Sequence, residues 1–335
     1  MRYVLYFFFP FLGFCSSFLP SEDSHKELKR KGALSGQLLY FKPIETAITY
    51  ALRTPNPEIV PLSDRNYVGN FVLPEWKYSP GLRLQGWVPM RYDGWEIGGS
   101  WTLLRNHSKK TVIESQEYDI YTTRSQIILG VFGNGFVKHV FGEVDLRLNG
   151  LDFFFQKKIP IGQTTILYPI FGLKGAHIKQ AIHTLYADLF ITSPLANSPR
   201  SVFSKNKTWG IGPLVGMGMD FTFSSSVHLD FLTTFSSLSG KGNSQTVYSD
   251  FLNLSPRAFQ SYTRRSPELF STAQIKIGIE KSWDTPKFLL KVGGGWETQV
   301  WFNQLKINDN SNVENPSVGS TLTLQGPFFR FLLEF

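Results

Sequence analysis

The stretch Thr321–Phe335 constrains the fold more than any other part of the chain. Counting back from Phe335 in twos gives Leu333, Phe331 and Phe329, with Glu334, Leu332, Arg330 and Phe328 between them. A period of two is the side-chain period of a β-strand. One face is apolar and aromatic, and the other carries both charges. A sandwich could bury such a face. An amphipathic strand running to a terminal aromatic residue fits better the closing strand of a bilayer-spanning barrel, with its apolar face on lipid and the other on the lumen. Gly326 precedes the alternating aromatics and resembles the C-terminal signal by which bacterial barrels are recognised. The barrel-assembly machinery is therefore an expected partner through this strand.

The pattern repeats along the chain. Gly36–Pro43 reads as a first strand. Leu82, Leu84, Gly86 and Val88 alternate with Arg83, Gln85 and Trp87, and Asp93-Gly94 then makes a tight turn. Trp95, Ile97, Gly99, Trp101 and Leu103 run up the next strand. Val140, Gly142, Val144, Leu146 and Leu148 alternate with His139, Phe141, Glu143, Asp145, Arg147 and Asn149. Here the valine–leucine row is expected to face hydrocarbon and the charged row the lumen. Leu167 to Gly175, Trp209 to Phe221, Val227 to Phe235, Ile275 to Ile279 and Phe288 to Val300 complete a set of ten strands with the last one. Gly293–Gly295 lies inside a strand and suits curvature or a bulge better than phosphate binding.

Short turns near 90, 160, 225 and 285 alternate with long polar segments near 60, 120, 195, 255 and 310. Outer-membrane barrels show this asymmetry, with short periplasmic turns and long extracellular loops. The expected fold is all-β: a transmembrane antiparallel up-and-down barrel over residues 35–335. It would have ten strands, or twelve if Tyr118–Phe132 hides a further hairpin. Hydrophobic residues at 42% and a mean hydropathy of −0.12 exclude a bundle of apolar helices. Met1-Arg2 and the apolar run after it read as a signal peptide over 1–17, followed by a periplasmic segment over 18–34. The single cysteine, Cys15, lies in that leader, so no disulfide framework is expected.

Indoles prefer the headgroup level of a bilayer. Trp76, Trp87, Trp95, Trp209 and Trp283, with Phe331 and Phe335, are expected to form aromatic girdles. The formal net charge of +8 favours acidic lipid headgroups and anionic solutes. Outer-membrane lipid and lipopolysaccharide are expected partners, and nucleic acid is not. The residues expected to line a pore are Glu143, Asp145, Arg147, Lys174, His228, Asp230, Lys276, Glu280, Lys291, Glu297 and Arg330. His228 and Asp230 lie two apart on one face, about 7 Å by strand geometry. They are read as solvated lumen charges rather than catalytic groups. No catalytic residue, cofactor or metal site is expected.

Scattered motifs carry a family resemblance. They are Tyr40-Phe41-Lys42-Pro43 with Tyr50-Ala51, Trp76 to Gly81, Val144-Asp145-Leu146, Gly172 to Ile178, Lys207-Thr-Trp-Gly-Ile-Gly-Pro213 and the terminal Phe335. The chain resembles the Legionella-type major outer membrane proteins, pore-forming barrels also found in chlamydia-like bacteria. The resemblance implies a porin-like channel in the bacterial outer membrane that passes ions and small hydrophilic solutes. Ten strands make a narrow bore, close to those filled by their own side chains. A generous pore then wants more strands or a homo-oligomer such as a trimer. The alternative is a plugged barrel that serves as a structural envelope protein or as a surface adhesin through its long loops.

Overall fold

The computed structural model describes residues 32–45, 48, 51–55, 70–91, 94–113, 118–122, 136–190, 199–224, 226–252, 255–306 and 319–335. The expected leader and most of the segment 18–34 lie outside them. Among the described residues ten long strands form a ring: β1 Ala33–Glu45, β2 Ser79–Pro89, β3 Trp95–Ile113, β4 Phe136–Lys157, β5 Thr165–Phe190, β6 Arg200–Ser224, β7 Val227–Leu252, β8 Ser255–Asp284, β9 Leu289–Lys306 and β10 Gly319–Glu334. Each pairs antiparallel with the next in sequence. β1 and β10 close the ring, from Ala33↔Glu334 to Glu45↔Leu322. Closure leaves no ring strand with an unpaired edge, the condition for crossing lipid with strands.

The barrel has ten strands, not twelve. Tyr118–Thr122 is a strand, but it lies outside the ring and pairs mainly with Ala51–Pro55, touching β4 at Tyr121↔Phe136. The rest of the proposed extra hairpin, 123–132, lies outside the described residues. Ala51–Pro55 also pairs with Asn70–Val72, and Ile159–Ile161 folds back on β5. The turns at one end are tight: Gly94 and Gly162 both have φ of +69°, a left-handed conformation that glycine adopts without strain.

The strands are much longer than the apolar alternation suggests. β8 has 30 residues and β5 and β7 have 26 each. With about 3.3 Å of rise per residue and a tilt near 45°, β8 stands roughly 70 Å tall. The outward apolar band of such barrels is only about 25 Å tall. Much of what reads as long polar loop between 105 and 270 is therefore strand standing above the bilayer.

Which residues face outward changes in character along the strands. Near the short turns the outward side chains are Leu34 and Leu38 on β1, Leu84 on β2, Trp101 on β3, Leu151 and Phe153 on β4, Phe171 and Leu173 on β5, Ile275, Ile277 and Ile279 on β8, and Phe329 and Phe331 on β10, all exposed. Nearer the long loops the same faces carry Arg105, His107 and Lys109 on β3, Glu143, Asp145 and Arg147 on β4, Lys179 on β5, and Lys205 and Lys207 on β6. The interior changes in the opposite sense. Beside the apolar band it carries most of the buried charges, with Phe154, Leu214, Phe328 and Leu332 set among them. Above the band it holds one apolar cluster that includes Leu39, Phe41, Leu104, Val112, Val144, Leu146, Leu148, Ile178, Ile182, Phe270, Trp301 and Leu324.

This corrects one expectation. The row Val140, Val144, Leu146 and Leu148 points inward and is at most 1% exposed, while Glu143, Asp145 and Arg147 point outward. The physical reason is the solvent. Above the bilayer the outside of the cylinder is water, so the strand buries its apolar row within, as any soluble sheet does. The switch on β4 falls near Asn149: Glu143, Asp145 and Arg147 point outward before it, and Leu151, Phe153 and Phe155 after it.

Candidate functional site

The bore is the candidate site, and period two decides what enters it. Odd residues of β1, β2 and β9 and even residues of β3 to β8 and β10 point inward, except that an irregularity at Asn303 turns Gln304 of β9 inward. At the short-turn end, His228 of β7 places Nδ1 3.1 Å from Asp220 Oδ1 and Nε2 3.0 Å from Ser282 Oγ. Lys291 of β9 donates to Asp220 Oδ2 at 3.0 Å. The order Ser–His–Asp is that of a hydrolase relay. Ser282 is buried, however, and its own amide donates to Ser226 O at 2.7 Å, so that amide is not free to hold an oxyanion.

Further in, Asp230 of β7 receives three donors. Tyr168 Oη lies at 2.5 Å, Lys276 Nζ at 2.8 Å and an Arg330 nitrogen at 3.0 Å. Arg330 also reaches Glu280 at 2.9 Å. On the facing wall Lys174 of β5 pairs with Asp152 of β4 at 3.0 Å, and Ser100 donates to the same carboxylate at 3.1 Å. Gln156 donates to Glu96, which also pairs with Lys158 at 2.9 Å.

Above these lies a bridge across the bore. Arg83 of β2 donates through both terminal nitrogens to the two oxygens of Glu297 of β9, each at 2.7 Å. The two strands are separated by β1 and β10, so this fork ties non-neighbouring walls. Arg83 also donates to Thr102 at 2.9 Å and Gln37 at 3.2 Å, while Gln274 and Gln299 donate to Glu297 at 2.8 and 2.6 Å. Glu297 is 0% exposed. A bare buried carboxylate would be very costly, and this one is held by a bidentate guanidinium and two amides.

The next layer is apolar. Lys174 lies over the Trp301 ring at 5.8 Å, joining β5 to the far wall at β9, and Phe270 sits 6.5 Å from the same ring. Ile48, Val72 and Trp76, from the segment linking β1 and β2, enter this core from above. A last polar knot closes it: Glu45 accepts from Gln180 at 2.7 Å, from Gln304 at 3.2 Å and from Ser320. Gln180 lies on β5, opposite β1, so this contact also crosses the bore.

The residues singled out from sequence fall into three places. Lys174, His228, Asp230, Lys276, Glu280, Lys291, Glu297 and Arg330 all point into the bore and join the network just described. Glu143, Asp145 and Arg147 are outside it, as corrected above. His107 Nδ1 sits 2.8 Å from Asp145, and Lys109 Nζ 3.4 Å from Glu143. One imidazole nitrogen of His107 and one carboxylate oxygen each of Glu143 and Asp145 lie within 4.8 Å of one another on the outer surface.

Among the expected girdle residues, Trp76 is corrected too: it is 6% exposed inside the upper core, because its segment folds inward over β1 rather than out to lipid. Trp87 pairs with Ala33 on the inward face at the short-turn end. Trp95, Trp209, Trp283, Phe331 and Phe335 point outward. Trp209 and Trp283 sit near opposite edges of the apolar band, with Lys281 5.4 Å over the Trp283 ring.

Arg83, Gln37, Glu45, Asp152, Tyr168 and Asp220 were not singled out. Parity would have found Arg83, Asp152 and Asp220, each a lone charge between outward apolar neighbours. Asp152 and Asp220 find Lys174 and His228 on the adjacent strand, whereas the partner of Arg83 depends on ring closure, which parity does not give.

A family model described as the Legionella pneumophila major outer membrane protein precursor matches residues 27–335. No curated protein sequence matches the chain. Among solved structures, the outer membrane protease OmpT from Escherichia coli aligns at 9% identity and a TM-score of 0.45, over 94% of this chain and 99% of its own. Ail, the attachment invasion locus protein of Yersinia pestis, aligns at 11% and 0.22, over 90% and 99%. A FadL homologue of Pseudomonas aeruginosa aligns at 9% and 0.25, over 92% and 90%. Likeness at these values says nothing of what this chain does.

Proposed function

Because the chain belongs to the Legionella pneumophila major outer membrane protein family, and is a barrel of the bacterial outer membrane, we propose that it works through its tall extracellular part. In this reading it is a structural envelope or surface-adhesion protein whose bore is shut to free diffusion. The observation that supports this most is the burial of the lumen charges: Glu297, Glu280, Lys276 and Asp230 are 0%, 3%, 4% and 6% exposed. Side chains lining a water-filled channel would be wet. Ion pairs join non-neighbouring walls beside the lipid band, and an apolar core fills the cylinder above it. The second reading is a porin for ions and small hydrophilic solutes. It is supported by the concentration of charges in the bore inside the band, which suits selective passage once the Arg83–Glu297 bridge parts.

Swelling of liposomes containing the refolded protein separates the two. The shut-bore reading predicts no uptake of small sugars or amino acids above protein-free liposomes. Uptake that falls with solute size supports the porin and ends the first reading.

A further inference from the structure

The outer surface carries a row of cations that the bore does not explain. Cross-strand register places Arg105 of β3 opposite Arg147 of β4, Arg147 opposite Lys179 of β5, and Lys179 opposite Lys207 of β6. The row continues through Asn243 of β7 to Arg265 of β8. All six residues are exposed. Directly opposed like charges destabilise a sheet. Here three successive opposed pairs are cation on cation, over roughly 14 Å of surface at the usual strand spacing. The nearest outward acids, Asp145 and Glu143, contact His107 and Lys109 rather than the row. No ion pair joins any of the five cations to a described residue.

The row's position identifies its counter-ion. It lies at the upper edge of the apolar band. The next outward level on the lipid side is Leu103 on β3, Asn149 on β4, His177 on β5 and Trp209 on β6, and below it come Trp101, Leu151, Gly175 and Ile211. Lys241 of β7 sits opposite Trp209, adding a cation at the indole's level. An amphiphile whose acyl chains lie on that apolar strip brings its headgroup to the cations. Four of them in line call for more than one negative group. We propose that this face of β3–β6 is a binding site for the phosphates of outer-leaflet lipopolysaccharide, with Arg105, Arg147, Lys179 and Lys207 as the phosphate ligands. The site stands whether the bore is open or shut.

The test titrates diphosphoryl lipid A into the full chain refolded in zwitterionic micelles and reads bound lipid by native mass spectrometry. Lys179→Gln/Lys207→Gln is expected to bind about tenfold or more weakly, at roughly 1 kcal/mol for each basic residue on an anionic surface. It should fold at least as well as the parent in lipid-free micelles, since it removes a like-charge pair. If it does not fold, Arg105→Gln/Arg147→Gln carries the same test. Lys281→Gln, at the other edge of the band, should bind as the parent does, and lipid A stripped of phosphate should not bind. Unchanged affinity in the row variants, or an equal loss in Lys281→Gln, overturns the proposal. So does displacement of the lipid by millimolar inorganic phosphate, which would mark a site for free anions. Capture of heparin with no binding of lipid A overturns it in favour of an acidic polysaccharide.

Discussion

At the scale of residues, the account turns on charges paired across a cylinder. Arg83 and Glu297 are both buried, and each satisfies the other through a two-pronged contact. Breaking such a pair from one side strands the remaining charge. Replacing both partners with apolar groups of similar size is often neutral or better. Glu297→Ala is therefore expected to lower the unfolding free energy by about 3–5 kcal/mol, measured by urea unfolding in micelles or lipid. Arg83→Met/Glu297→Leu should recover most of the loss. A single variant as stable as the parent would mean that water reaches Arg83. The identity of these partners was not readable in the chain. Arg83 stands out between Leu82 and Leu84, but position 297 is 214 residues away, and only closure of β1 on β10 brings the two walls together.

At the scale of strands, period two was fully readable and its direction was not. Alternation says which residues share a face. It leaves open which face is inside, and hydrophobicity settles that only when the outer solvent is known. For β10 and for the lower parts of β2, β3 and β8 the outer solvent is lipid, and the apolar row faces out as expected. On upper β4 it is water, and the same rule gives the opposite side. Strand length was missed for the same reason: once Arg105, Lys179 or Lys241 appears on the outer face, apolar alternation fades although the hydrogen-bonded ladder runs on. The inversion has a measurable consequence. Leu146 is 0% exposed in the upper core, and Leu146→Ala should cost about 2–5 kcal/mol. Its neighbour Arg147 is exposed and forms no ion pair with a described residue, and Arg147→Ala should change stability by less than about 0.5 kcal/mol. Urea unfolding of both variants checks this, and equal effects would place the row on the wrong side.

At the scale of the molecule, ten strands set the bore, and the residues then fill it. Width follows from strand number, so narrowness was foreseeable from the count of alternating segments. Filling was not, because it depends on which of Trp301, Phe270, Lys174 and Glu45 meet across the ring. The picture is a cylinder with two solvents outside: charge-bearing within and apolar without where it crosses lipid, apolar within and charged without where it stands in water. Four single cysteines in a Cys15→Ser background read all four environments on β4: Val144→Cys and Asp145→Cys above the band, Asp152→Cys and Phe153→Cys within it. A membrane-impermeant maleimide applied to folded protein in lipid vesicles should modify Asp145→Cys alone, while a bilayer-borne quencher should reach a probe at Phe153→Cys alone. Labelling of Asp152→Cys from the aqueous side would show a water-filled bore, and labelling of Val144→Cys would show that the upper core is wet or faces out; either result contradicts the account.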